Sequence, residues 1–322
     1  MSLQDATEGS DSLKSKRVAR NYIPSVFRFE HTGSLKDRLL TALIVLVVAL
    51  SLSLLAIYLP YGRLICVAWT ASIAAVSTFE VVRLFARHHD TLHYRPMAGV
   101  VAYIILIIPA LAATISSVGS VFGHPIEWHL LYGAIIVSGQ AMMIAQVLEG
   151  RRRLEDAARY GERYGASFCI LAVCAPQLIV VSSSPCGVQL LWWIAGVSAL
   201  NDAAAYFVGR AMGKHKMAPG LSPNKSVEGS IAGLVVGTLA GIGLWWVLLG
   251  ESVGVWTLMS LSLLATIAAQ TGDLAKSYLK RLRGVKDLGA FFPGHGGVLD
   301  RFDAMIAVAP VLVVVLSLLG LL

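Results

Sequence analysis

Charge is scarce in this chain. Asp, Glu, Lys and Arg make up 14% of its 322 residues, against about 25% in an ordinary soluble domain. So little charge argues against a water-soluble domain of this length. Cysteine is scarce as well. The four present, Cys66, Cys169, Cys174 and Cys186, lie in or beside apolar runs and show no CxxC spacing. That argues against a zinc ribbon or a redox pair and leaves them as small apolar residues. No internal repeat of the kind that builds inverted-repeat transporters is visible. The first 36 residues contain no short apolar stretch with a cleavage site, and Asp5, Glu8 and Asp11 argue against an organellar transit peptide. Acids are outnumbered, 19 against 26 Lys and Arg, giving a net charge of +7. This balance suits anionic lipid headgroups and nucleotides, and nothing in it calls for nucleic acid.

Apolar residues dominate instead, at 56%. Runs of about 20 apolar residues, enough to cross a bilayer as a helix, recur along the chain. They lie near 39–59, 64–85, 97–117, 129–148, 164–183, 189–209, 230–249, 255–275 and 302–321. The fold class expected is all-α, a polytopic membrane bundle of about nine helices. Basic residues test this count. Every Lys and Arg except Arg63 falls in the N-terminal tail or after the second, fourth, sixth and eighth runs. The positive-inside rule then places the N-terminus in the cytoplasm. Three regions follow: a polar cytoplasmic tail over 1–36, N-terminal transmembrane helices over 37–188, and a chemically active transmembrane region over 189–322. The expected location is a bacterial cytoplasmic membrane.

Polarity concentrates in the last third. Asn201 and Asp202 interrupt an apolar run, and a Gly- and Pro-rich loop follows. Within it Ser222, Lys225 and Ser226 stand just before the seventh span, with Glu228 at its mouth. A helix start preceded by Ser and Lys favours phosphate oxygens, although capping alone explains Ser226. Asp273 sits near the cytoplasmic end of the eighth span, three residues before Lys276. An interfacial Asp–Lys pair is one reading and a metal ligand the other. The block from Ser277 to Asp303 then gathers Lys280, Arg281, Lys286, Asp287, His295, Asp300, Arg301 and Asp303. Charge of this density at a membrane boundary is costly and marks a functional site. Asp300 and Asp303 are spaced to share a helical face. With Asp273 they can meet at one depth from two adjacent helices. Oxygen ligands so placed suit Mg²⁺, with water and phosphates filling its other positions. The glycines of Pro293–Gly297 let the backbone pass close to a ligand, where His295 bonds a phosphate or braces the loop.

The fixed points of this block are Ser277, Lys280, Arg281, Lys286, Asp287, Gly289, Pro293, His295, Gly296, Gly297, Asp300, Arg301 and Asp303. They resemble the signature of the phosphatidate cytidylyltransferase (CDP-diacylglycerol synthase) family. The upstream stretch resembles it too, through Asp202, the GKHKMAP segment, and Ser222, Pro223, Lys225, Ser226 and Gly229. The likeness is good over about residues 190–310, with Asn201–Ala205 a slight departure. It implies an enzyme that converts CTP and phosphatidate to CDP-diacylglycerol and pyrophosphate with Mg²⁺. Asp273 and Asp300 would hold the ion, with Asp303 as a third or outer ligand. Lys280 and Arg281, with Ser222, Lys225, Ser226, Lys286 and His295, would bind phosphates. Asp202 and Glu228 would orient cations or the metal, Asp287 is a further candidate site residue, and Arg301 would pair with Asp303 or a lipid phosphate. A second, monovalent cation and a homodimer are both compatible with the resemblance.

Two other classes fit the composition. A related lipid nucleotidyltransferase or polyprenol kinase would differ in its acceptor. A transporter would use Asp202 as an ion site, but transporters set polar breaks near the midplane, and here they gather at one boundary.

Overall fold

The computed structural model describes residues 35–86, 176–250 apart from 220, and 253–321 apart from 283, 284, 286, 290 and 293–295. The expected third and fourth spans, most of the fifth, Cys169, Cys174, Lys286 and His295 lie outside the described residues.

Seven helices and one small hairpin make up the described part. Helices α1 (Leu35–Tyr58) and α2 (Gly62–Ala86) form a tight helical hairpin, and the short α3 (Pro176–Ser183) leads into α4 (Gly187–Met212). Strands β1 (Lys216–Ala218) and β2 (Ser222–Ser226) then run antiparallel into α5 (Val227–Leu248), followed by α6 (Val255–Leu282) and α7 (Leu299–Leu318). Among the described residues four stretches are long and apolar enough to cross a membrane: Leu39–Tyr58, Val227–Leu248, Val255–Arg281 and Leu299–Leu318. On this basis the chain is an integral membrane protein. Helix α1 shows why: Leu39, Leu43, Leu46, Leu50 and Leu54 are all exposed, a surface that needs lipid rather than water around it.

The core lies between α3, α4, α6 and α7, around Trp193, Ile194, Leu258, Leu261, Ile306 and Leu312. Helix α5 joins it through a face of small residues. Gly229, Gly233, Gly237 and Gly241, every fourth position, are buried. A Cβ on Gly233 would come within 2.6 Å of Asn201 Oδ1 on α4, and one on Gly241 within 2.5 Å of Ser262 Oγ on α6. Bare backbone therefore lets three helices close on one line, the usual packing device where lipid supplies no hydrophobic drive between helices. Trp193 pins the far end, donating Nε1–H to Gly241 O at 2.8 Å and meeting Trp245 edge-on at 5.8 Å.

The hairpin departs from an all-helical fold. Lys216 pairs with Ser226 and Ala218 with Ser222, across a turn closed by Leu221 N–H donating to Ala218 O at 3.0 Å. Its second strand runs directly into α5, with Ser226 as the N-cap: the hydroxyl accepts from Gly229 N–H at 3.2 Å, as capping predicts. The expected eighth span is also longer than its apolar part, because α6 continues through the polar turn to Leu282.

Candidate active site

A cavity of about 560 Å³ opens between α4, the hairpin, α5 and α6. Its polar lining includes Asp202, Arg210, Lys216, Lys225, Ser226 and Asp273. The volume falls within the usual range of about 300–1,000 Å³ for small-molecule sites. Its floor is a hydrogen-bonded amide network. Gln270 on α6 donates Nε2–H to Asn201 Oδ1 at 2.8 Å and to Ser230 O at 2.9 Å, and the Ser230 hydroxyl donates back to Gln270 Oε1. Asn201 in turn donates to Asp202 Oδ1 at 2.9 Å, aiming that carboxylate. Gln270 and Ser230 escape sequence reading because lone amides and hydroxyls in apolar helices carry no spacing signal.

A chain of alternating charge runs from the cavity wall into the bundle. Lys225 at the end of β2 pairs with Asp273. Asp273 pairs with Lys276 one turn along α6, at 3.0 Å, and Lys276 reaches Asp303 on α7 at 2.6 Å. The Lys276 ammonium also donates to the backbone carbonyl of Asp300 at 3.3 Å. The Asp273–Lys276 spacing allows an ion pair or a metal ligand. The ion pair exists, and it marks the point where carboxylates from two helices converge on a single positive charge. Lys276 is the residue that sequence reasoning undervalued; its three-residue spacing from Asp273 was the available signal.

Asp300 stands apart from that point. Its Oδ1 pairs with Lys280 at 2.5 Å, while Oδ2 accepts the amides of Leu288 at 2.9 Å and Gly297 at 3.1 Å. This carboxylate ties together the two ends of the polar loop. Gly296 sits against it with φ +87°, a backbone conformation that suits glycine, and a Cβ there would stand 2.8 Å from Asp300 Oδ2 and 3.2 Å from Asp287 Oδ1. The bare backbone of Gly296 and Gly297 thus faces protein carboxylates, whereas the sequence suggested a bound ligand.

The remaining expected residues are placed as follows. Arg281, exposed at the end of α6, donates Nε–H to Leu221 O at 3.1 Å and so anchors the hairpin turn. Glu228 accepts from His215 N–H at 3.1 Å and meets the His215 ring at 2.7 Å, closing the approach to β1. Ser226 lines the cavity, and Ser222 lies at the hairpin's other end. Arg301 lines a second, apolar cavity of about 360 Å³ between α1, α2, α4 and α7, with Trp69, Trp192, Ala195, Phe292 and Met305.

The donors present fit a hard divalent cation. Asp273 and Asp303 offer oxygen only and already converge on one cationic position. Among the described residues no group of three or more Asp, Glu, His or Cys side chains could hold an ion unaided. One or two carboxylates completed by water and substrate phosphates is the usual arrangement for Mg²⁺.

The sequence profile described as "Cytidylyltransferase family" matches residues 36–319. A Staphylococcus haemolyticus protein named phosphatidate cytidylyltransferase is 37% identical over 154 residues, 47% of this chain and 59% of that protein. One of the same name from Staphylococcus aureus is 36% identical over the same length and shares. A third, from Staphylococcus epidermidis, is 28% identical over 285 residues, covering 88% of this chain and 99% of its own length. The stronger matches thus span only about three fifths of those relatives. With a profile match running through the described helices from α1 to α7, the chain belongs to the Cytidylyltransferase family.

Proposed function

We propose that this protein transfers a cytidylyl group from CTP to phosphatidate, giving CDP-diacylglycerol and pyrophosphate. The observation that carries this reading is the convergence of Asp273 and Asp303 on one cationic position beside a basic, nucleotide-sized cavity. The names of the relatives support the same substrates.

In the reaction an oxygen of the phosphatidate phosphate bonds to the α-phosphorus of CTP. The bond from that phosphorus to the bridging oxygen breaks, and pyrophosphate leaves with the electron pair. The nucleophile is already anionic, so no strong base is required. The barrier lies in bringing anions together and in the charge of the leaving group, so positioning and electrostatics dominate. Lys225, Lys216 and Arg210 line the cavity and bind the triphosphate. Ser226 fixes the start of α5, which turns its N-terminal end toward the cavity that Ser226 and Ser230 line. Lys280 and Arg281 stand at the end of α6 and add positive charge near the acceptor phosphate. Asp273 and Asp303 would hold Mg²⁺, with Asp300 engaged separately by Lys280 and Asp202 across the cavity. When bound, the ion neutralises charge on the transferred group and on the leaving pyrophosphate. Lys276 keeps the two carboxylates together and ties them to the Asp300 backbone carbonyl.

The apolar cavity takes an acyl chain of phosphatidate, with Arg301 at its polar end and hydrocarbon-like lining beyond. Nine spans, a cytoplasmic N-terminus and an active site facing the cytoplasm of a bacterial inner membrane complete the proposal, since CTP is cytoplasmic. The test is product identification with purified protein in lipid vesicles. Labelled CTP and phosphatidate with Mg²⁺ should yield CDP-diacylglycerol and equimolar pyrophosphate. Pyrophosphate release without phosphatidate, or transfer only to a polyprenol, would overturn the assignment.

A further inference from the structure

One carboxylate that grips the polar loop comes from the N-terminal half of the chain, far in sequence from every charged residue assigned above. Glu80 lies near the end of α2 and is 6% exposed. Its Oε1 accepts from Val298 N–H at 2.9 Å, and its Oε2 accepts from Leu299 N–H at 2.9 Å. These amides open α7, the helix that carries Asp300 and Asp303. A helix start leaves its first four N–H groups without intrahelical partners. The residue at the cap position, Val298, has no side-chain group to offer them. Glu80 supplies from another helix what the local sequence lacks, and its negative charge also complements the helix dipole. With Asp300 Oδ2 on the Gly297 amide, two carboxylates hold three successive amides.

A second observation points the same way. The loop passes Glu80 twice, at Gly289 and at Gly297. A Cβ on Gly297 would stand 2.5 Å from both Glu80 oxygens, and one on Gly289 would overlap Oε1. Both ends of the loop therefore close over this carboxylate, and only bare backbone fits there.

We propose that Glu80 is a positioning residue for transfer, fixing the height and rotation at which α7 presents Asp303 to Lys276 and Asp273. This rests on the cytidylyl-transfer reading. Glu80 touches no reacting atom; it acts through the first turn of α7. Without it the helix start keeps its packing on α2, where Trp69 meets Phe302 edge-on, but loses the two hydrogen bonds that fix its first amides. Small displacements of a reacting constellation can cost about 100-fold in rate.

The experiment compares the full-length protein with Glu80→Gln, Gly297→Ala and the double variant. Hydrogen exchange is followed over residues 296–303, alongside kcat and KM for CTP and for phosphatidate. Glu80→Gln should speed exchange of the Val298 and Leu299 amides about tenfold or more. It should lower kcat by about 10- to 100-fold while KM for CTP stays within about threefold. Gly297→Ala displaces the same carboxylate and should reproduce the kcat loss alone, so the prediction survives a Glu80→Gln that folds poorly. The double variant should be no worse than about twofold below the weaker single variant, because both break one contact. Unchanged exchange, losses confined to KM, or losses that multiply in the double variant would overturn the proposal. Absent turnover in the unmodified protein would sink the transfer reading, while the exchange rates would still decide whether Glu80 holds α7.

Discussion

Replacing Lys276 by Met removes the one positive charge that Asp273 and Asp303 share. The ammonium is 12% exposed, Asp303 8% and Asp273 29%, so two of the three groups are well shielded. Breaking a buried pair by deleting one partner costs about 3–5 kcal/mol, because the other charge stays buried without compensation. The partial exposure of Asp273 and its second partner, Lys225, put this case near the low end, about 3 kcal/mol. For a chain of 322 residues, at about 2.1 cal/mol/K of unfolding entropy per residue, that corresponds to a fall in Tm of about 4–5 °C. Thermal unfolding in detergent with EDTA measures it. Mg²⁺ binding between the carboxylates would replace the lost charge, and a ligand bound only to the folded state adds about 2.7 kcal/mol at 100 times its Kd. Saturating Mg²⁺ should therefore raise the Tm of both proteins, and that of Lys276→Met by more, because no ammonium competes for its two carboxylates; divalent-free buffer leaves the gap at its widest. A Tm within about 2 °C of the unmodified protein in EDTA would show that the charge chain is not buried as described. A Tm that Mg²⁺ leaves unchanged in both proteins would show that the convergence point does not accept a divalent ion.

Further outcomes follow from the cavity walls and the helix contacts. Lys225→Met, at the triphosphate end of the larger cavity, should raise KM for CTP by about tenfold, the worth of a lost charge-assisted contact, with KM for phosphatidate unchanged in steady-state assays. Ala195→Trp fills the apolar cavity and should raise KM for phosphatidate while sparing KM for CTP, with short-chain phosphatidate less affected than long-chain. Gly233→Leu forces a side chain into Asn201 and Gln270, and should lower Tm and abolish turnover together, by overpacking worth about 1–3 kcal/mol or more.

Much of the site was legible because its residues are charged and the surrounding chain is not. Asp273, Asp300, Asp303, Lys225 and Lys280 stand out against apolar spans, and α4, α5 and α7 begin and end within a few residues of the apolar runs. Hydropathy measures lipid-facing length, so it could not see that α6 runs on as a polar turn to Leu282. Pairings between distant segments were hidden for a different reason. Glu80 reads as one interfacial acid among many until the fold brings it to Val298 and Leu299, 218 and 219 residues away. The grouping of carboxylates depended on rotation about α7: spacing alone put Asp300 and Asp303 on one face, whereas each takes different partners. The hairpin was hidden because three- and five-residue strands rich in Lys, Ser and Pro carry no alternating pattern.

The most direct test of two helices sharing one ion is the Mg²⁺ dependence of phosphatidate-dependent turnover in Asp273→Asn, Asp303→Asn and the double variant. Groups that act as one unit lose their effect together. Each single variant should fall to about the same residual rate as the pair and should need more Mg²⁺ to reach it. Near-normal turnover with an unaltered Mg²⁺ requirement in either single variant would contradict the account.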